Sequence, residues 1–287
     1  MKAKELYELA TLHKHSKGKE RALCLDYYRQ AAEMGHFLSQ WELAEELFLF
    51  GKNCEERAEA VKWYETAATQ HGYPYAKYKA GYAYYFGAGV KKDKVRGIFW
   101  FEQSLNVGES VYHLAHHYYS SKKNEEQKKA LELLLQAHKR RLGYYLENDT
   151  PAELYELTAK CYENGVGTPP SLETAAIYYE KASELDSPCA DLWLGKYYER
   201  EDNPRRDLKK AFAYYENASY KDSETQYLLA LCYLFGKGTK KDEETGYQLL
   251  SEAAYFGETA ALDFLQAQAN DGDETARAIL EKLNSED

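Results

Sequence analysis

A motif that recurs along the chain constrains the fold more than any other feature of the sequence. Residues 84–90 read Tyr-Tyr-Phe-Gly-Ala-Gly-Val, and related heptapeptides occupy 161–167 and 232–238. Each copy is followed by a polar stretch and then by two adjacent bulky residues and two small ones. Self-similarity at a period of about 20–50 residues is typical of solenoids, in which each unit stacks on its neighbours.

The bulky pairs predict one helix in every repeat. Two adjacent bulky residues recur in seven copies along the chain. In each copy they stand three and four positions after an alanine, glycine or cysteine, and these leading positions are 33 to 45 residues apart. These spacings place them on one face of a helix. The pairs are Tyr27-Tyr28, Trp63-Tyr64, Trp100-Phe101, Leu133-Leu134, Tyr178-Tyr179, Tyr214-Tyr215 and Leu249-Leu250. We expect Trp63, Trp100, Tyr179 and Tyr215 to face the neighbouring repeat and hold the stack together.

A second helix pattern precedes each of these. It contains a pair such as Leu43-Ala44, Ala80-Gly81 or Leu194-Gly195, whose small residue lets a partner helix cross closely. Glycine loops then join the two helices, because glycine adopts the backbone conformation that a sharp helix end requires.

The sequence thus predicts an all-α fold, a right-handed α/α superhelical solenoid of stacked antiparallel helix pairs. A single solenoid is expected over 1–287. Its repeats fall at about 5–36, 37–73, 74–109, 110–149, 150–187, 188–222 and 223–257, with a C-terminal cap at 258–287. Roughly ten extra residues lie near 140–149, where the repeat spacing is longest. They form either a lengthened helix with a loop, or a hinge or binding loop.

This pattern resembles the Sel-one-like repeat (SLR) family, which is related to the tetratricopeptide repeats. The resemblance covers nearly the whole chain, and the repeat at 76–108 matches the family pattern best. Its matching residues are Ala76, Gly81, Tyr84, Gly87, Gly89, Val90, Asp93, Trp100 and Gly108. The resemblance implies a helical-repeat fold and a binding module, without implying a particular partner.

Charge and cysteine content indicate partners and compartment. The net charge of −10 disfavours nucleic acid and anionic membranes, and it favours a basic protein partner or none in particular. No apolar run reaches the length of a membrane-spanning helix, and the N-terminus has no secretory pattern. Secreted members of the resembled family join their helices with paired cysteines. The five cysteines here are odd in number and unpaired by repeat position, so we expect free thiols in the cytoplasm.

The sequence offers little for catalysis. The histidines His113, His116 and His117 share one helical face, but no cysteine or acidic residue at ligand spacing completes a metal site. Nucleophile, P-loop and zinc-protease motifs are absent from the sequence. We therefore expect no enzyme, cofactor or metal.

The candidate binding residues follow from the resemblance. In tetratricopeptide repeats, ligand-facing residues come from the first helix of each repeat. The corresponding positions here are Trp41, Phe48, Tyr75, Tyr78, Tyr82, Tyr85, Phe86, Tyr112, His116 and Tyr119, followed by the charged Glu156 and Glu163. Packing in the core is the alternative interpretation of the aromatic positions. On the binding interpretation, Tyr78→Ala with Tyr82→Ala abolishes partner capture and leaves the melting temperature nearly unchanged.

Two functions fit this prediction. The first is an adaptor that binds a protein or peptide along its concave face. The alternative is a cytoplasmic immunity or inhibitor protein that neutralises a toxin or secreted effector, since an acidic surface suits a basic target.

Overall fold

The structure is a computed structural model, and it describes residues 1–14, 18–141, 151–218 and 222–285. Within these residues the secondary structure consists of sixteen α-helices and no β-strand. The predicted all-α fold of consecutive packed helix pairs is confirmed. The chain divides into two compact units, Met1–Thr150 and Pro151–Asp287. Residues 142–149 of the predicted insertion lie outside the described residues.

The first unit contains four helix pairs. Its helices are α1 (Ala3–Leu12), α2 (Lys19–Glu33), α3 (Phe37–Phe50), α4 (Cys54–His71), α5 (Pro74–Phe86), α6 (Lys94–Glu102), α7 (Gly108–Tyr119) and α8 (Asn124–Arg140). The pairs α1–α2, α3–α4, α5–α6 and α7–α8 pack closely, and within this unit α2 contacts α3, α4 contacts α5 and α6 contacts α7. Three first helices, α3, α5 and α7, carry most of the candidate binding residues.

The second unit repeats this arrangement. Its helices are α9 (Pro151–Asn164), α10 (Leu172–Ser183), α11 (Pro188–Glu199), α12 (Leu208–Ala218), α13 (Ser223–Phe235), α14 (Glu243–Tyr255), α15 (Thr259–Asn270) and α16 (Glu274–Ser285). The pair α15–α16 occupies the segment predicted as the cap. Across the described parts of both units, no helix is long and apolar enough to cross a bilayer.

The two glycines of the loop between α5 and α6, Gly87 and Gly89, have different structural roles. Gly87 ends α5 in the left-handed conformation with φ of 82°. Gly89 also has positive φ, and a Cβ there would lie 2.9 Å from the backbone carbonyl carbon of Arg57, in the preceding repeat. The Asp93 amide then donates to the Tyr84 carbonyl at 2.8 Å, and its carboxylate caps α6. Glycine is therefore needed both to end the helix and to let the loop lie against the previous repeat.

The core is formed by the second member of each bulky pair. This residue is at most 2% exposed in all seven repeats: Tyr28, Tyr64, Phe101, Leu134, Tyr179, Tyr215 and Leu250. Tyr215, which the sequence predicts to face the neighbouring repeat, also packs within its own repeat. Its ring lies over Gly195 in the first helix of its own repeat, where a Cβ would approach the ring to 2.3 Å. Only a residue without a side chain leaves room for a buried tyrosine at this crossing.

Tyr-Glu dipeptides connect successive helices by hydrogen bonds. In Tyr198-Glu199 of α11, the tyrosine hydroxyl donates back to Glu180 in α10 at 2.6 Å. The glutamate accepts from Tyr215 in α12 at 2.9 Å. Tyr179-Glu180 in α10 and Tyr64-Glu65 in α4 act in the same way. Each dipeptide therefore joins its own helix to the one before and the one after.

All five cysteines lie in the described residues and are free thiols, which confirms the prediction. Cys54 and Cys189 are exposed, whereas Cys24, Cys161 and Cys232 are buried. Burial raises the pKa of Cys161 and Cys232 to about 12 and, as the largest cause, that of Cys24 to about 11.

Alkylation of the native protein at pH 8 is therefore expected to modify two thiols quickly and three slowly. The thiolate is the reactive form, so raised pKa values and enclosure slow the buried thiols by on the order of a thousandfold. Mass spectrometry before and after unfolding in denaturant checks this result. Rapid modification of Cys161 in the folded protein would contradict the burial.

Candidate functional site

Aromatic side chains of α3, α5 and α7 form one continuous cluster in the first unit. Trp41 of α3 lies 6.3 Å from Tyr75 of α5, measured between ring centroids. Along α5, Tyr75 contacts Tyr78 at 6.1 Å, Tyr78 contacts Tyr82 at 6.3 Å, and Tyr82 contacts Phe86 at 4.7 Å. These residues follow one another at spacings of three and four, so they share one face of the helix.

His113 of α7 joins this face to the next repeat. Its ring stacks on Tyr78 at 6.1 Å with an interplanar angle of 7°, and it contacts Phe86 at 5.3 Å. Phe101 lies behind it at 5.5 Å. Burial, with a smaller effect of His116, lowers the pKa of His113 to about 4. The imidazole is therefore neutral at pH 7 and packs as an aromatic ring.

The cluster continues along α7. Tyr112 contacts His116 at 6.0 Å, and His116 contacts Tyr119 at 6.4 Å. Tyr85 approaches the same helix through His117, with its hydroxyl 3.1 Å from Nδ1. We call the combined face the aromatic surface; it consists of Trp41, Tyr75, Tyr78, Tyr82, Tyr85, Phe86, Tyr112, His113, His116 and Tyr119.

Exposure differs across the aromatic surface. Phe86 is 46% exposed and His116 is exposed, whereas the remaining members are partly buried. Tyr78 stacks on the buried Phe101 at 6.3 Å as well as on His113. Removing the Tyr78 ring would therefore disturb the core. We no longer expect the Tyr78→Ala with Tyr82→Ala variant to leave the melting temperature unchanged, and Phe86 is the better probe of binding.

Phe48, another predicted binding residue, lies apart from this surface. It packs against the core of the second repeat, with its ring centroid 5.7 Å from that of Tyr64. Trp41 is intermediate, because it contacts Tyr64 at 5.7 Å and also reaches Tyr75. Phe48 therefore fits the core-packing alternative better than the binding one.

The two predicted acidic residues, Glu156 and Glu163, belong to α9 in the second unit. The Glu163 carboxylate accepts hydrogen bonds from the Tyr179 hydroxyl at 2.9 Å and from Trp193 Nε1 at 2.8 Å. Glu156 accepts from the Ser187 hydroxyl at 2.5 Å. Both carboxylates therefore contribute to internal packing between helices of the second unit.

His113 was not among the predicted binding residues, because the positions carried over from the resembled repeats fall on Tyr112 and His116 beside it. The signal was present in its spacing, since His113 follows Tyr112 and precedes His116 by three. Within the described ranges, no group of three or more His, Cys, Asp or Glu residues is arranged to hold a metal ion.

Comparison with known proteins places these repeats in a family. The family model for the Sel1 repeat matches residues 6–36, 38–71, 74–109, 154–187, 190–223 and 223–255. A crystal structure of a Sel1 repeat protein from Oxalobacter formigenes is similar at 20% identity, with a TM-score of 0.56. The match covers 93% of this chain and 87% of that one.

A second similar structure is that of a protective antigen present in uropathogenic Escherichia coli strains, which displays an SLR fold. It is 22% identical, with a TM-score of 0.46, and the match covers 99% of this chain and 69% of that one.

Proposed function

The chain belongs to the Sel1 repeat family, and from that premise we propose that it is a non-enzymatic module that binds a protein segment on its aromatic surface. Sel1 repeats generally serve as protein–protein interaction modules. The observation that carries the proposal is the unbroken series of ring contacts from Trp41 to Tyr119. It spans three repeats on the first helices, the face that the sequence predicts to be concave.

The packing of these rings favours binding. Tyrosine and phenylalanine provide large contact areas with few rotatable bonds, and such residues are enriched among those that dominate binding energy. Here most rings are already held by neighbours, as Phe86 is by Tyr82, Tyr85 and His113. Because little side-chain freedom remains to be lost, the entropic cost of binding is small.

The charge of the chain supports a basic partner. With a net charge of −10, the protein repels nucleic acids and anionic membranes and attracts positively charged proteins at long range. The proposed partner segment combines apolar or aromatic residues, which contact the rings, with basic flanking residues.

Phe86→Ala is expected to weaken binding of a selected peptide by at least about tenfold, the loss typical of a residue that dominates an interface. Random twelve-residue peptides displayed on phage would be selected on the immobilised chain, and their affinities measured by calorimetry. Phe235→Ala is the matched control. Phe235 lies ten residues after the buried Thr225, as Phe86 does after Ala76, and it is 59% exposed.

The control variant should bind the selected peptides as the native chain does. If the peptides bind the Phe86→Ala variant as tightly as the native chain, or lose as much affinity for the Phe235→Ala variant, the binding site lies elsewhere and the proposal is rejected. A selection that enriches no peptide would also reject it.

Inhibition of a basic toxin is a second candidate, supported by the acidic net charge. In that case the aromatic surface would bind a folded basic protein rather than a linear segment. Co-expression with the product of a neighbouring gene tests this idea: the native chain should suppress toxicity and the Phe86→Ala variant should not. Equal suppression by both would exclude the aromatic surface from such a role.

We also propose a cytoplasmic location. Five free thiols, two of them exposed, are compatible with a reducing compartment and poorly suited to an oxidising one. Fractionation of the native host, with detection by antibody, tests the location.

A further inference from the structure

Glu109 stands at the start of α7, beside the rings of α5. Its Oε1 accepts a hydrogen bond from the Tyr75 hydroxyl at 3.2 Å. Its Oε2 is enclosed and has no hydrogen-bond partner. Burial, and after it the charge of Glu109, raises the pKa of Tyr78, which shows that this ring lies within the field of the carboxylate. Enclosed carboxylate oxygens usually have a donor, so Glu109 is incompletely satisfied.

In the second unit, the glutamate at the same repeat position has a cationic partner. Glu224 immediately precedes the buried Thr225 of α13, as Glu109 precedes the buried Ser110 of α7. The Glu224 carboxylate forms an ion pair with the Lys196 ammonium of the preceding repeat at 2.5 Å. The equivalent interaction for Glu109 requires a cation from α5.

The residue of α5 that corresponds to Lys196 is Tyr82. Lys196 lies six residues after the buried Ala190, and Tyr82 lies six residues after the buried Ala76. The repeat therefore keeps the glutamate and replaces the lysine with an aromatic ring. Among the described residues, no lysine, arginine or histidine forms an ion pair with Glu109.

Neighbouring acidic residues are neutralised in a way that Glu109 is not. Glu45 pairs with Lys79 at 3.5 Å, and Glu42 pairs with Lys14 at 2.7 Å. Among the residues that the structure describes, Glu109 thus has no ion-pair partner, and it lies among aromatic rings. Aromatic faces attract cations, and a carboxylate beside them adds a charged hydrogen-bond acceptor.

We propose that Glu109, with the rings of Tyr75, Tyr78 and Tyr82, binds a lysine or arginine side chain of the partner segment. This inference rests on the proposed function and specifies the chemistry of its partner. The incoming cation takes the role that Lys196 has toward Glu224. Glu109 is partly exposed, and rotation about its terminal bond, which has a broad energy minimum, turns the unpaired oxygen toward the incoming donor.

The peptides selected on the native chain provide the test. We expect them to share a lysine or arginine next to an apolar residue, and Glu109→Gln to weaken their binding at least about tenfold, since a buried charge pair loses one partner. Glu132→Gln, on the exposed side of α8, makes the same change in net charge and should leave binding unchanged. Replacing the basic residue of the peptide with methionine should weaken its binding to the native chain. The same replacement should cause no further loss of affinity for the Glu109→Gln variant.

Two variants at position 82 separate charge from ring loss. Tyr82→Lys supplies the missing cation from within the chain, as Lys196 does in α11, whereas Tyr82→Gln removes the ring without adding charge. The lysine variant should bind the basic peptides at least about tenfold more weakly than the glutamine variant. Thermal melting of every variant confirms that the fold is retained before affinities are compared.

The outcomes distinguish this inference from the proposed function. Peptides that depend on Phe86 but contain no shared basic residue, or bind the Glu109→Gln variant unchanged, overturn the inference and leave the proposed function in place. Equal binding to the two position-82 variants also overturns it. Peptides that depend on neither Phe86 nor Glu109 reject both.

Discussion

Trp100→Ala is expected to lower the free energy of unfolding by about 3–5 kcal/mol, the range for removing a buried large aromatic side chain. Trp100 is 9% exposed and belongs to the same buried cluster as Tyr64, Ala76 and Ala80, so its loss leaves a cavity in the core of the first unit. Neighbouring helices close such a space only in part. Urea denaturation followed by circular dichroism gives the change.

Trp100→Phe is the informative companion variant. The indole Nε1 of Trp100 is enclosed and has no hydrogen-bond acceptor. Phenylalanine keeps most of the ring and removes this unpaired donor, so we expect a loss of at most about 1.5 kcal/mol. A loss as large as that of Trp100→Ala would mean that the indole nitrogen is hydrogen bonded in the folded protein.

Tyr215→Ala is expected to cost a similar amount, about 3–5 kcal/mol, for a related reason. The Tyr215 side chain is completely buried against Gly195, at a crossing of two helices in the second unit. Its removal leaves a cavity beside a residue that has no side chain to fill it. The same denaturation experiment measures the change.

Tyr215→Phe should behave differently from the phenylalanine variant of Trp100. The Tyr215 hydroxyl donates to Glu199, which also receives Lys237 at 2.7 Å. Phenylalanine removes one of these donors, and we expect a loss of about 1–2 kcal/mol because the partly exposed carboxylate keeps the lysine. A neutral result would show that the Tyr215 hydrogen bond adds nothing to stability.

The helices and their order could be predicted from the sequence, because their signals are local. Loop glycines such as Gly87 end helices by backbone conformation, and the buried second member of each bulky pair repeats at regular spacing. The shared face of Tyr75, Tyr78 and Tyr82 follows from their spacing in the same way, whereas its role in binding stays a prediction.

Side-chain partners could not be predicted as well. Phe48 and Tyr78 lie near the border of the predicted face, and one position along a helix turns a side chain by about 100°. Whether such a residue contacts solvent or core therefore depends on the helix packed beside it. Glu163 illustrates the point, because its partners Tyr179 and Trp193 come from two different later helices.

One missed feature had a clear sequence signal. Glutamate directly follows the second bulky residue in Tyr64-Glu65, Tyr179-Glu180 and Tyr215-Glu216. The bulky pair alone was used to predict the helices, and no partner was assigned to the glutamate that follows it. Its role becomes visible once the next helix is in place and supplies the donor, as Tyr198 does for Glu180.

These dipeptides give the array a direction. In every Tyr-Glu link described above, the hydroxyl donor comes later in the chain than the carboxylate acceptor. A duplicated repeat that carries the dipeptide brings a donor for its predecessor and an acceptor for its successor. Tandem duplication can therefore lengthen such an array while keeping the same kind of hydrogen bond at each new junction. The direction of these hydrogen bonds therefore favours lengthening of the array by tandem duplication of whole repeats.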